Sequence, residues 1–366
     1  MADIDKAITF DEQQDLGVRN RTKEMEIEVD VTEENPDLDS FEQMEDGSIA
    51  FGEPTPPMEE TDFYANLADI MPDSDLNSLK NDLMSNIESD KDSRGDWEKT
   101  YREGLEYLGM KYEERSQPFE GASGVMHPLL SESVTQFQAQ AYNELLPSQG
   151  PVKTQVLGMT TPETEQQAAR VQEFMNYQLM QVMKEYDPET DQMLFYLPLS
   201  GSAFRKVYYD QNLGRAVSKF IPSEDLIVPY SATDLHSATR ITHVINMPMN
   251  DIRKLQQIGF YSDVDIDSGN MMADETDDIQ EGIDELQGVK PSYDDDDTCK
   301  VHEIHTELDI EGFEDMNAEG EDTGIKLPYI VTIGNNKVLS IRRNYKENDQ
   351  LKQRINYFVH YKFYQV

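Results

Sequence analysis

Asp263, Asp265 and Asp267 alternate ahead of Ser268 and Gly269, with Asp274 in the twelfth position counted from Asp263, the oxygen-rich opening of a calcium loop. A loop of that kind needs glycine in its sixth position for the sharp turn and prefers a bidentate glutamate in its twelfth. Here those positions hold Ser268 and Asp274, so the spacing reads as an acidic loop. Cys299, His302 and His305 offer zinc-type ligands three residues apart. On a strand, however, Cys299 and His305 point one way and His302 the other, and no second cluster completes four ligands. The Asp294 to Asp297 run could attract magnesium, but two-metal chemistry needs carboxylates converging from different elements rather than one continuous run. Gly121-Ala122-Ser123-Gly124 invites comparison with a phosphate loop, yet no Gly-Lys-Ser/Thr occurs anywhere in the chain. No GxSxG elbow is present, and His127 ahead of Pro128 reads as a packed or capping residue. No set of residues converges on catalysis. The expectation is a protein without enzymatic activity, cofactor or metal.

The elements that would position these residues follow from periodicity. Trp97, Tyr101, Leu105 and Leu108 recur at helical spacing before Gly109, and Leu129–Leu146 forms a second helix closed by Pro147, with Leu130, Val134, Phe137, Ala141 and Leu145 on one face. Val152, Thr154 and Val156 alternate, which predicts a short strand ending at Gly158. Thr161-Pro162-Glu163 supplies a cap, a first-turn proline and an early acid for a helix whose apolar stripe runs Val171, Phe174, Met175, Leu179, Val182, Met183, Tyr186. After a further helical stretch broken at Pro198 and Gly201, the period changes to two. Residues 204–209 and 216–221 around a turn at 210–214 predict a hairpin, followed by a strand over 240–247 and a helix over 249–258. Beyond the acidic loop, 300–310, 326–333, 337–342 and 355–364 read as strands, the middle pair joined through Gly334-Asn335-Asn336.

Charge divides the chain. Its formal net value is −42, and residues 1–90 hold 26 acids against 5 bases, whereas 91–260 hold 22 against 16. Another 23 acids fall in 261–325. The predicted organisation is α+β: a disordered acidic arm over 1–90, a folded core over 91–260, an acidic flexible loop over 261–297 and a β-rich segment over 298–366 that stops inside a strand, as a truncated chain would. Within the arm, Leu67 through Ile87 has near-helical apolar spacing and could fold upon a partner, although isolated short helices are marginal in water. A single cysteine, Cys299, excludes an internal disulfide framework and fits a reducing compartment. Neither a targeting segment nor a membrane-spanning apolar run is visible, so the expected setting is the cytoplasm or something assembled there, without a membrane partner. Arg342, Arg343, Lys346, Lys352 and Arg354 form the basic concentration, a candidate contact for phosphate or a neighbouring subunit as well as an ordinary solvated turn.

Two blocks carry a family resemblance. Phe119-Glu-Gly-Ala-Ser-Gly-Val-Met-His-Pro-Leu-Leu through Leu146-Pro147, and Leu199-Ser-Gly-Ser-Ala-Phe-Arg-Lys-Val-Tyr-Tyr-Asp followed by Phe220-Ile-Pro-Ser-Glu-Asp-Leu-Ile-Val-Pro, resemble the portal (head-to-tail connector) proteins of tailed bacteriophages, especially the large portals of short-tailed phages. Its structural signature in this chain is Trp97, Gly121, Gly124, Pro128, Gly201, Lys206 and Pro222. The resemblance covers roughly 95–260 and, more weakly, the strands of 300–366. It implies a wing-like α+β domain of a ring of about twelve subunits at one capsid vertex. Double-stranded DNA would be packaged and ejected through that ring, which would dock a terminase motor, scaffold or capsid shell and tail adaptor within the virion. The long acidic arm and the acidic loop depart from that pattern. Composition alone leaves two other classes open: an acidic intracellular adaptor, and a metal-dependent hydrolase with its site elsewhere.

Overall fold

The computed structural model describes residues 62–108, 119, 127–210, 213–266, 298–316, 322–347, 349 and 351–363. Helices and two antiparallel sheets alternate as follows: α1 (Asp73–Asp92), α2 (Gly95–Leu108), α3 (Leu129–Leu145), α4 (Pro162–Tyr177), α5 (Tyr186–Ser200), β1 (Ser202–Asp210), β2 (Arg215–Ile221), β3 (Leu226–Ile227), β4 (Arg240–Pro248), α6 (Met249–Gln257), β5 (Thr298–Leu308), β6 (Leu327–Gly334), β7 (Lys337–Arg343) and β8 (Phe358–Lys362). The α+β expectation therefore holds at the level of architecture.

A five-stranded sheet runs β3-β4-β5-β6-β7, and a three-stranded sheet runs β2-β1-β8. The predicted hairpin is β1–β2, with Phe204 opposite Ile221 and Asp210 opposite Arg215. Asn335 and Asn336 both take left-handed φ (43° and 65°) at the β6–β7 connection, the conformation that a two-residue hairpin turn demands and that asparagine tolerates. Less legible was the last strand: β8 leaves its neighbour β7 and pairs with β1, Lys206 opposite Phe358 and Ser202 opposite Lys362.

Period-two alternation distributes the side chains between layers. On β1, Phe204 enters a core shared by the two sheets with Ile221, Ile241 and Phe358, while Ala203 turns to the other face and packs with Met193, Leu194 and Leu197 of α5. Phe137 and Ala141 of α3 back onto α5 in the same cluster. The opposite face of the large sheet is covered by a different set. Leu67, Ala68, Leu83 and Ile87 pack on Ile304, Tyr329, Val331, Ile333 and Ile341.

That last contact corrects the expected boundary of the folded part. Residues 62–90 are not an arm: a 3₁₀ turn at Leu67–Asp69 and helix α1 belong to the main core, with Leu67 fully buried. Acidity over 1–90 concealed an amphipathic stripe, and the partner upon which it folds is this chain's own sheet. Asn66 fixes the attachment. Its amide donates to Ser262 Oγ (2.9 Å) and to the Leu339 carbonyl (3.3 Å), and its Oδ1 accepts from the Ile341 N–H (2.9 Å), so one side chain satisfies backbone groups on the edge of β7. The rest of 1–90, and most of the 261–297 loop, lie outside the described residues.

Three further details differ from the sequence expectation. Residues 152–157 are extended but form no ladder; Asn176 Nδ2 donates to the Val152 carbonyl (3.1 Å) and Asn176 Oδ1 accepts its N–H (2.9 Å), while Thr154 N–H donates to Gln172 Oε1. Amides on α4 thus take the place of a partner strand. Leu145, placed on one face of α3 with Val134 and Ala141, is 50% exposed. Most notably, α4 has the predicted cap, with Thr161 and Thr164 bonding reciprocally, yet none of its residues is buried.

Candidate functional site

Chemistry-bearing side chains meet between the two sheets. Lys206 on β1 places its Nζ 2.6 Å from both carboxylate oxygens of Glu303 on β5, and His305, two residues along the same face, brings Nε2 to 2.8 Å from Glu303 Oε1. The His305 Nδ1 lies 3.4 Å from Asn344 Nδ2, which fits a neutral ring that donates to Glu303 through Nε2 and accepts at Nδ1. Tyr208 and Phe358 present ring faces to the Lys206 ammonium at 5.5 and 5.9 Å. His243 on β4 stands directly across from Glu303, and its Nδ1 has no hydrogen-bond partner among the described residues.

Electrostatics agree with a closed ion centre. Burial alone would raise the Glu303 carboxyl, but the Lys206 ammonium and the His305 hydrogen bond outweigh it and hold the group well below the usual carboxylate range. Burial pushes the His305 imidazole down despite Glu303, and burial, with Lys206 nearby, pushes His243 down to about 3. One cation and one carboxylate therefore face each other beside neutral imidazoles. Such a centre is fitted to hold two sheets in register, because its charges neutralise each other. Two more clamps act in the same way. Arg240 donates to Asp90 at 2.6 and 2.9 Å, tying β4 to α1, and Arg205 donates to Thr190 Oγ1 at 2.6 Å with its guanidinium 4.6 Å from the Tyr186 ring.

The basic concentration near the end of the chain turns inward. Arg342 donates to the carbonyls of Tyr64 and Phe260 (both 2.8 Å) and sits over the Phe260 ring; Arg343 donates to the Phe63 carbonyl (2.8 Å). Arg354 donates to the carbonyls of Ala238 (2.7 Å) and Leu235 (2.8 Å), and Lys352 pairs with Asp315. Lys346 alone of the five is exposed without such a contact among the described residues. Within the chain, Arg342, Arg343 and Arg354 thus donate to backbone carbonyls and Lys352 pairs with a carboxylate. Sequence could place these bases but not their acceptors, which lie 82 to 280 residues away for Arg342, Arg343 and Arg354.

The signature residues occupy structural posts. Trp97 is half-buried, stacks on Tyr101 with centroids 5.3 Å apart and donates to the Ser200 carbonyl. Pro128 opens α3, Gly201 closes α5 with φ 76°, and the Pro222 carbonyl closes a turn with the Asp225 N–H. Gly121 and Gly124 lie outside the described residues, as do Asp267, Asp274 and Asp294–Asp297. Cys299 is buried and no group of three metal-ligating side chains forms among the described residues. A polar cleft of about 440 Å³ is lined by Met249, Arg253, Gln256, Asp263, Asp265 and Ile266, without a nucleophile–base pair.

Helix α4 carries an exposed apolar stripe. The stripe begins in the body of the fold, where Met183 is buried, and runs outward along α4 to Met175 (44% exposed), Val171 (51%) and Phe174 (61%). A five-residue π-helical turn, Gln178–Val182, joins α4 to the body of the fold. The helix contacts few other elements, and its visible support is the extended 152–154 segment. Sequence reasoning found this stripe but not what would cover it. No protein-family model matches the chain, and no curated protein matches it. No helix among the described residues is long and apolar enough to cross a membrane.

Proposed function

We propose that this chain is a non-catalytic structural subunit of a ring resembling the portal of tailed bacteriophages, with the described residues serving as its wing-like α+β part. The observation that carries the assembly part of this reading is α4, a well-capped helix that extends its apolar stripe beyond its own core. A monomer gains nothing from holding Val171, Phe174 and Met175 in water, whereas a subunit that packs against another molecule buries them. Clamps such as Lys206–Glu303, Arg240–Asp90 and Asn66 suit a part that must keep its shape while neighbours bear on it. The conduit role, with double-stranded DNA passing through and terminase, capsid and tail proteins docking outside, rests on the resemblance of the 119–147 and 199–229 blocks. Native mass spectrometry and negative-stain imaging of the complete gene product test it: the expected result is a closed ring of about twelve copies. A monomer at assembly concentrations overturns it.

A further inference from the structure

We infer that the junction between the two sheets is an acid-released joint, in which proton uptake at His243 and His305 frees the β2-β1-β8 sheet, with α5 on its far face, from the five-stranded sheet. This holds independently of the ring reading. The titratable and charged groups that face the two rings or their shared carboxylate are Lys206 and Tyr208 on β1, Lys219 opposite Lys206 on β2, Glu303 on β5, Tyr261 after α6, and Arg354 and Tyr357 ahead of β8. With both rings neutral, one ammonium meets one carboxylate. Each added proton is then a charge without a counter-charge.

The geometry makes no provision for a charged ring. An imidazolium donates through both nitrogens, so each needs an acceptor. Glu303 already accepts from Lys206 Nζ (2.6 Å) and His305 Nε2 (2.8 Å). The His305 side chain is 2% exposed, and its Nδ1 faces the Asn344 Nδ2, itself a donor, at 3.4 Å. Turning that amide over offers His305 the Asn344 Oδ1, which has no partner among the described residues. His243 has no such remedy. Its Nδ1 is buried without a partner among the described residues, and around the ring stand Phe358 at 6.0 Å and the cations Lys206 and Lys219. Burial accordingly holds both rings below the ordinary histidine value. His360 on β8 shares this face but has the Ser202 hydroxyl at 3.1 Å, which can serve either state of the ring. The break falls here because the opposite face of the large sheet keeps its own cover, Leu67, Leu83 and Ile87, in a cluster without histidine.

Unfolding returns both rings to water, where they bind protons near pH 6.5. The folded chain binds fewer, so its stability is complete above that pH and is lost progressively below it. Each proton taken up on unfolding raises the unfolding constant about tenfold per pH unit, so the two rings together contribute about a hundredfold between roughly pH 6 and pH 5. Urea unfolding of the full chain across this range reads the effect as a difference between parent and variant. His243→Phe is expected to lose about tenfold per pH unit of the parent's acid sensitivity, and His305→Gln, which keeps a donor for Glu303, to lose as much again. Exposed His127→Gln is expected to follow the parent. A parent-like slope in His243→Phe overturns the joint, and that variant alone decides if His305→Gln does not fold. Hydrogen exchange followed by mass spectrometry, corrected for intrinsic rates, locates the break at about pH 5.5. Peptides of β1, β2 and β8 are expected to lose protection ahead of those of β6 and β7, and simultaneous loss overturns the release of one sheet from the other.

Discussion

At the scale of single residues, Lys206 and Glu303 make the sharpest commitment. The ammonium reaches both carboxylate oxygens at 2.6 Å inside the inter-sheet core. Removing Lys206 leaves the Glu303 carboxylate buried without a counter-charge, held only by the neutral His305, which costs about 3–5 kcal/mol, whereas replacing both ions by apolar groups of similar volume is often neutral. Lys206→Met is therefore expected to lower the urea midpoint strongly, and Lys206→Met/Glu303→Leu to recover most of the loss. A single variant as stable as the parent would show that the pair does not join the sheets. Half of this centre was legible beforehand. Lys206 stood in the Arg205-Lys206-Val207-Tyr208 alternation, and the strand facing of Cys299 and His305 followed from parity. Glu303 could not be connected to Lys206, because the two meet across 97 residues of chain and their contact depends on how the two sheets stack.

At the scale of elements, helix α1 changes where the molecule begins. The segment Asp73–Asp92 holds Leu76, Leu79, Leu83, Met84 and Ile87 along one side, and the last three packing positions lie against β-strands that come more than a hundred residues later. Average charge over 1–90 outvoted that stripe, a failure of windowed composition rather than of periodicity. The consequence is measurable. Removing residues 1–61 leaves every described contact of Leu67, Leu83 and Asn66 in place and is expected to preserve the cooperative thermal unfolding of the rest. Removing residues 1–85 takes away Asn66, Leu67 and Leu83 together, uncovers Tyr329, Val331 and Ile341, and strips the β7 edge of its amide partner. Loss of several large buried side chains at about 2–5 kcal/mol each exceeds the stability of an ordinary domain, so that truncation is expected to yield aggregated or unfolded protein in a melt followed by circular dichroism. Equal melts from the two truncations would show that α1 is dispensable. Elsewhere, strands and helices were readable because their periods are local. The extended 152–157 segment was misread because its partners are side-chain amides on a helix, which no alternation reveals, and the exposure of α4 was invisible because a stripe has the same sequence whether its own chain or another covers it.

At the scale of the whole molecule, charge and folding together bear on the proposed role beside double-stranded DNA. The net value of −42 is tempered in sequence by the bases of 342–354, the stretch where phosphate could have been held. Folding directs Arg342, Arg343 and Arg354 onto backbone carbonyls and Lys352 onto Asp315, and it opposes Lys206 with Glu303. Affinity for a duplex grows with the number of phosphates neutralised and falls steeply with salt, so these particular bases, already held by internal acceptors, have less to offer a phosphate backbone. The proposed conduit would benefit from that property, because a wall that held DNA would slow its passage. The complete gene product is accordingly expected to show no saturable binding to a fluorescent duplex at physiological salt by anisotropy, and only weak binding at low salt. Arg342→Ala, which frees no phosphate site, is expected to leave this unchanged while loosening the Tyr64 and Phe260 segments that the guanidinium ties together. Tight binding with a steep salt slope would mean that bases outside the described residues, or on an assembled surface, grip the duplex, and the picture of a passage that surrounds DNA without holding it would have to be abandoned.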